Sequence, residues 1–205
     1  MRRRALPVVG QLAHPRGVLA PATGFILNIV NRPINRWTVD SLQLTGSEEI
    51  LDVGFGGGVG LDLVHGRLTS GHVVGVDISE EMVDGAATRF AEDPRGGNVR
   101  VLRADVSALP FADASFDGAY TVNTIFFWTD VRAGLAELHR VLRLGGRILI
   151  AAPAVAFPLA RFVGLAPPDG VSGPGEVRRL VEAAGFTGVT LRSRAGAALI
   201  LATRD

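Results

Sequence analysis

The chain has 205 residues, 47% of them hydrophobic and 20% charged, with a formal net charge of +1; this fits one globular domain with a real core and excludes a disordered chain. It contains no cysteine, which rules out disulfides, thiolate nucleophiles and cysteine-bound zinc or iron–sulfur centres. All 21 basic residues are arginine, so there is no Schiff-base lysine, no Tyr–Lys reductase pair and no P-loop lysine, and the balanced charge offers no basic stripe for nucleic acid.

In chain order, Arg2, Arg3 and Arg4 look like the start of a leader, but Pro7, Gly10 and Gln11 interrupt the apolar stretch after them, and a cytoplasmic protein is expected. Pro21 and Pro33 each stand where a proline opens a helix, predicting two short helices, ATGFILNIVN and INRWTVDSL. Residues 1–44 thus read as an N-terminal helical extension, and a turn at Thr45–Gly46 opens a domain over residues 45–205. Strands are expected at EILDV, HVVGVD, NVRVLRAD, FDGAYTV and GRILIAA, alternating with helices over 59–68, 79–91 and 130–142. Ser79 followed by Glu80 and Glu81 is a helix start, and Gly145–Gly146 is read as the stop of the third helix. A further helix over 174–184 and two β-rich runs, VTLRSR and AALILATR, complete the chain. Such alternation predicts a doubly wound, mostly parallel sheet. The apolar residues 151–168 hold four prolines and Arg161, a poor membrane span.

In sheets of this kind ligands bind at the carboxyl ends of the strands, which points to LDVGFGGGVG, residues 51–60. No alignment of this loop gives G-x-G-x-x-G: Val59 or Leu61 falls where the third glycine must stand. Asp52 lies two residues before Gly54; a carboxylate there repels a pyrophosphate and favours a cationic ligand. S-adenosylmethionine carries an ammonium and a sulfonium and no phosphate, so the charge favours it over NAD. Asp77, ending the second strand, is placed to accept from both hydroxyls of a ribose, and Asp105, after the third, to meet an adenine amino group. A short-chain reductase would need Tyr-x-x-x-Lys, yet the single tyrosine, Tyr120, is followed four residues on by Thr124.

These features resemble the class I S-adenosylmethionine-dependent methyltransferases, especially the small-molecule branch of ubiquinone/menaquinone biosynthesis. Asp52, Gly54, Gly56 and Gly58, with Phe55 between the first glycines, match the D-x-G-x-G-x-G motif. ADVSALPFADASFDGAY, ELHRVLRLGGRILI and EVRRLVEAAGF resemble three later family segments. The resemblance covers residues 45–205 and implies a seven-stranded Rossmann-like sheet with an antiparallel last strand, AALILATR. It implies S-adenosyl-L-methionine as cofactor, Asp77 on its ribose, Ile78 packed on adenine, and Asp105 with Val106 at the base. It places Asn123 at the methionine portion. It also makes the extension a lid, in which Thr38 either touches the cofactor carboxylate or lies on an exposed helix face.

The implied partner is a small-molecule methyl acceptor, with no nucleic acid and no membrane. Residues 153–173 are apolar and proline-rich, suited to an apolar or aromatic substrate or to a homodimer interface. Of Phe126, Phe127 and Trp128, at least one is expected in the pocket. No catalytic base stands out: His65 and His139 read as structural or solvated, His72 begins a strand on the side away from the cofactor, Asp130 reads as a helix cap, and His14 alone could reach a site from the extension. The same motif also suits a non-catalytic protein that binds the cofactor as a sensor or assembly partner.

Overall fold

The computed structural model describes residues 20–95, 97–153 and 171–205; the expectations for Arg2–Arg4, His14 and residues 154–170 lie outside them. Where two helices were expected, Ala20–Leu42 forms one, α1, with Pro33 inside it. A proline there removes one helical hydrogen bond at a cost of about 3 kcal/mol. The turns after it bury Ile34, Val39 and Leu42 against the sheet, at roughly 1.5–3 kcal/mol per side chain. That burial outweighs the broken bond and keeps the helix continuous.

The alternation beyond it folds as read: β1 (Glu49–Val53), α2 (Val59–His65), β2 (His72–Asp77), α3 (Glu80–Ala91), β3 (Val99–Arg103), β4 (Phe116–Val122), α4 (Val131–Val141), β5 (Leu142–Pro153), α5 (Pro174–Ala183), β6 (Thr187–Arg194) and β7 (Ala197–Thr203). Both predicted caps are present: Ser79 Oγ accepts from Met82 N–H, and Asp130 Oδ1 accepts from Ala133 N–H at 2.9 Å. One boundary differs. The glycine pair at 145–146 does not stop α4, which ends at Val141, because Leu142 already pairs with Phe116 as the first residue of β5. The exposed carbonyls at this helix end are taken by Arg204, whose Nη1 donates to Arg140 O and Leu142 O.

The seven strands are ordered β3-β2-β1-β4-β5-β7-β6, parallel throughout except that β7 runs antiparallel to both β5 and β6. One face is covered by α4 and α5 through Leu135, Leu138, Val177 and Val181. The other is covered by α1, α2 and α3 through Val39, Leu61, Val64 and Phe90. The C-terminal half of α1 is therefore part of the core. It descends β4 in reverse: Asn31 contacts Asn123, and Leu42 lies beside Gly118. Residues 20–30 continue the same helix ahead of Asn31 for about 16 Å at 1.5 Å per residue.

Candidate active site

The strand order reverses between β1 and β4, the switch point at which open α/β sheets bind ligands. The loop from Gly54 to Gly58 fills this position. Gly54 (φ 72°), Gly56 (φ 52°) and Gly58 (φ 76°) all take left-handed backbone, which side-chain-bearing residues adopt at a cost. At Gly54 a Cβ would lie 2.4 Å from Thr124 Cγ2, whereas at Gly56 it would meet nothing within 4 Å. Gly54 is thus packed tightly from behind, and Gly56 faces open space where a ligand can touch the backbone. The loop is fixed from both sides. Asp77 Oδ2 accepts from Gly56 N–H at 2.9 Å while its Oδ1 accepts from Ser79 N–H at 3.0 Å. Arg89, on α3, donates to the carbonyls of Gly57 and Gly58.

Asp52 is not at an open loop mouth as the sequence suggested. It is 3% exposed, and Tyr120 Oη donates to its Oδ2 at 2.6 Å. Register explains the pairing, because Asp52 and Tyr120 are direct neighbours on β1 and β4. Burial pushes the Asp52 carboxyl up to about 7, opposed by the Tyr120 hydrogen bond and reinforced by the nearby charge of Asp77. Burial and Asp52 together raise the Tyr120 phenol well above its ordinary value. Gly60 makes room for this pair: a Cβ there would stand 2.7 Å from Tyr120 Oη, 2.8 Å from Asp52 Oδ2 and 3.0 Å from Asn35 Oδ1.

Asn35 belongs to a polar stripe on α1 that sequence reasoning missed. Asn31, Asn35 and Thr38 recur at spacings of four and three on a buried helix face, and that period was the available signal. Thr38 does not lie on an exposed helix face: it is fully buried and its hydroxyl donates to Ile34 O at 2.8 Å. Asn31 Oδ1 instead accepts from Asn123 Nδ2 at 2.7 Å. Asn123 takes left-handed backbone (φ 63°), and its Oδ1 is buried with no hydrogen-bond partner. An unmet buried acceptor of this kind costs about 1–3 kcal/mol.

The remaining residues divide by what they present. Ile78, 47% exposed, is free to pack on a flat ring, whereas Phe55 and Val106 are buried and offer only backbone. Asp105 caps a turn, its Oδ1 accepting from Ser107 N–H at 2.8 Å and Ser107 Oγ at 2.7 Å. Among the aromatic run, Phe126 and Trp128 are core residues and Phe127 is the exposed one. Trp128 Nε1 donates to Thr124 Oγ1 at 3.1 Å, and Thr124 with Thr121 anchors the β4 exit to Val53 O. His65 is buried on α2, His139 packs edge-on to Phe186 and His72 pairs with Glu49. None of the three lies at the glycine loop.

This order of strands, with a glycine loop at its switch point and an acid ending β2, defines a Rossmann-like methyltransferase fold. A family model described as a methyltransferase domain matches residues 51–150. An uncharacterized methyltransferase, YdaC, of Bacillus subtilis is 32% identical over 127 residues, covering 62% of this chain and 68% of that protein. A ubiquinone/menaquinone biosynthesis C-methyltransferase of a Geobacter species is 33% identical over 122 residues, 59% of this chain and 52% of its own length. The chain thus spans about half of the latter. In fold it superposes on a geranyl diphosphate methyltransferase solved with S-adenosylmethionine, with a TM-score of 0.72 at 17% identity over 98% and 96% of the two chains. The chain belongs to the class I S-adenosylmethionine-dependent methyltransferases.

Proposed function

We propose that this protein binds S-adenosylmethionine across the Gly54–Gly58 loop and methylates a small apolar or aromatic molecule. The observation that carries this reading is the Asp77–Gly56 hydrogen bond, which ties the acid at the end of β2 to a loop glycine that faces open space. The residues suit the cofactor's chemistry part by part. Asp77 supplies carboxylate acceptors for ribose hydroxyls, and exposed Ile78 supplies an apolar surface for adenine. Gly56 brings bare backbone to the ligand, and buried Asp52, titrating near 7, carries a negative charge above that pH. When bound, the cofactor supplies a methyl group on a sulfonium, ready for in-line displacement by a nucleophile of the acceptor.

The chain's own contribution is to hold the partners in line and keep water out, and positioning of this kind supplies roughly 7–11 kcal/mol of barrier reduction. No general base is required for an acidic phenol, an enolised carbon or a thiol. The N-terminal half of α1, standing beyond the strand ends, forms the wall or lid on the acceptor side, while its C-terminal half stays in the core. Exposed Phe127 at the β4 exit supports an aromatic or apolar acceptor, as does the quinone pathway in the Geobacter relative's name.

Calorimetric titration with S-adenosylmethionine and S-adenosylhomocysteine tests the reading. Micromolar binding that Asp77→Ala weakens at least tenfold, about 1.4 kcal/mol, supports the site and leads to a turnover screen over phenols and quinols. Absence of binding by the wild-type protein overturns the cofactor assignment; binding without turnover on any acceptor class favours a cofactor sensor instead.

A further inference from the structure

Trp128 belongs to the core, yet its two ends reach the side chains that stand behind the glycine loop and behind the turn after β3. The short helical turn Ile125–Phe127 folds the chain back on itself. The indole thereby returns to Thr124, and its Nε1 donates to Thr124 Oγ1 at 3.1 Å, meeting the need of a buried indole N–H for a partner. Thr124 is the side chain packed behind Gly54, the first residue of the loop. The backbone there is gripped from both neighbouring strands: Gly54 N–H donates to Val76 O at 2.7 Å, and Val53 O accepts from Thr121 Oγ1 at 2.9 Å. The hydroxyls of Thr121 and Thr124 touch, so Trp128 closes the stack from behind.

The far edge of the same ring meets the other side of the cleft. A Cβ at Gly134 on α4 would stand 2.9 Å from Trp128 Cε3 and 3.1 Å from Val106 Cγ1, so the indole and Val106 come together over bare helix backbone. Glycine inside a helix weakens it, and here the missing side chain leaves room for both. Val106 follows Asp105 in the turn after β3 and, being buried, presents only backbone outward. Where that backbone stands is set by where its side chain is held. One rigid ring thus backs two backbone surfaces, the loop after β1 and the turn after β3, which flank Asp77 at the end of β2. We infer that Trp128 is a positioning residue for the cofactor: acting through Thr124 and Val106, it fixes the gap between the glycine loop and the turn on the base side. The inference rests on the cofactor reading above. Binding surfaces of this kind must be held to about 0.5 Å by the residues packed behind them.

The test uses the whole chain, with S-adenosylhomocysteine as the probe. Trp128→Phe keeps a flat ring but loses the N–H, and Thr124→Val keeps the shape beside Gly54 but loses the acceptor. Each is expected to weaken binding at least tenfold in calorimetry. The double variant should be no more than twofold weaker than either single one, because all three break the same bond. A merely structural tryptophan would lower the melting temperature and leave affinity within twofold of wild type. That result, or single effects that multiply in the double variant, overturns the inference. A second measurement leaves Trp128 in place. The chain has two tryptophans, so Trp37→Phe makes Trp128 the sole indole emitter. Its emission is expected to shift during titration and to saturate at the calorimetric dissociation constant. A silent Trp128 while calorimetry registers binding overturns the inference, even where Trp128→Phe fails to fold. If wild type does not bind the probe, the cofactor reading itself falls and takes this one with it; if wild type and variants bind equally, only the role of Trp128 falls.

Discussion

Replacing Asp52 with asparagine removes a buried charge while keeping a carbonyl oxygen for the Tyr120 hydroxyl. In the folded chain this carboxyl titrates near 7, against 3.8 for an ordinary aspartate. Between those values the folded protein holds a proton that the unfolded chain has lost, so stability falls as pH rises. Below pH 3.8 both states are protonated and the penalty is absent; above about 7 it is complete. Three units at about 1.4 kcal/mol each give a penalty on the order of 4 kcal/mol. Asp52→Asn is therefore expected to be more stable than wild type at pH 8 by up to this amount, with the gap closing toward pH 4. Urea unfolding of both proteins at several values between pH 4 and 8 measures it directly, as a stability difference between variant and wild type that grows from pH 4 to 8. On the proposed reading, in which the Asp52 carboxylate answers the sulfonium charge, the same substitution is expected to weaken S-adenosylmethionine more than its uncharged-sulfur product. Parallel pH profiles for the two proteins would refute the claim that Asp52 is a buried, costly charge.

Gly54→Ala is expected to lower stability by about 1–3 kcal/mol, since its Cβ would strike Thr124 at a positive φ; a shift in the urea midpoint shows it, and an unchanged midpoint contradicts this tight packing. Arg89→Ala removes the guanidinium from the carbonyls of Gly57 and Gly58. Because Arg89 is substantially exposed, its loss should change stability by less than about 1 kcal/mol while weakening S-adenosylhomocysteine several-fold, read by denaturation and calorimetry side by side.

Much of the sheet was legible because its signals are local. EILDV, HVVGVD and FDGAYTV match β1, β2 and β4 residue for residue, each an apolar run closed by a turn or an acid. Sequence failed where a distant partner decides. Pro33 looks like a helix start, and only the burial of the next turns against β4 and β5 shows why the helix runs through it. Gly145–Gly146 looks like a helix stop, but Leu142 had already been claimed by Phe116 across the sheet. In the site, the glycine spacing and the position of Asp77 were readable from the motif. The burial of Asp52 was not, because it depends on Tyr120, 68 residues away. The contact of Asn31 with Asn123 spans 92 residues and leaves no trace in either neighbourhood beyond the four-residue spacing on α1. Thr38 shares that spacing, yet its hydroxyl is satisfied within its own helix.

The placement of β7 bears on how the chain assembles as it is made. β6 has one neighbour in the sheet, and that neighbour comes after it in sequence. Until β7 emerges from the ribosome, β6 has no strand to join and β5 presents a bare edge of its own. The β6–β7 hairpin, joined through Ala195 and Gly196, is a local unit that can form quickly, and it then docks through β7 onto β5. Vectorial synthesis can thus lay down β1 to β5 with their helices in order, whereas sealing the sheet waits for the last strand. In that interval the apolar run from Ile148 to Ala152 is open to strands of other chains, and chaperone dependence should concentrate there.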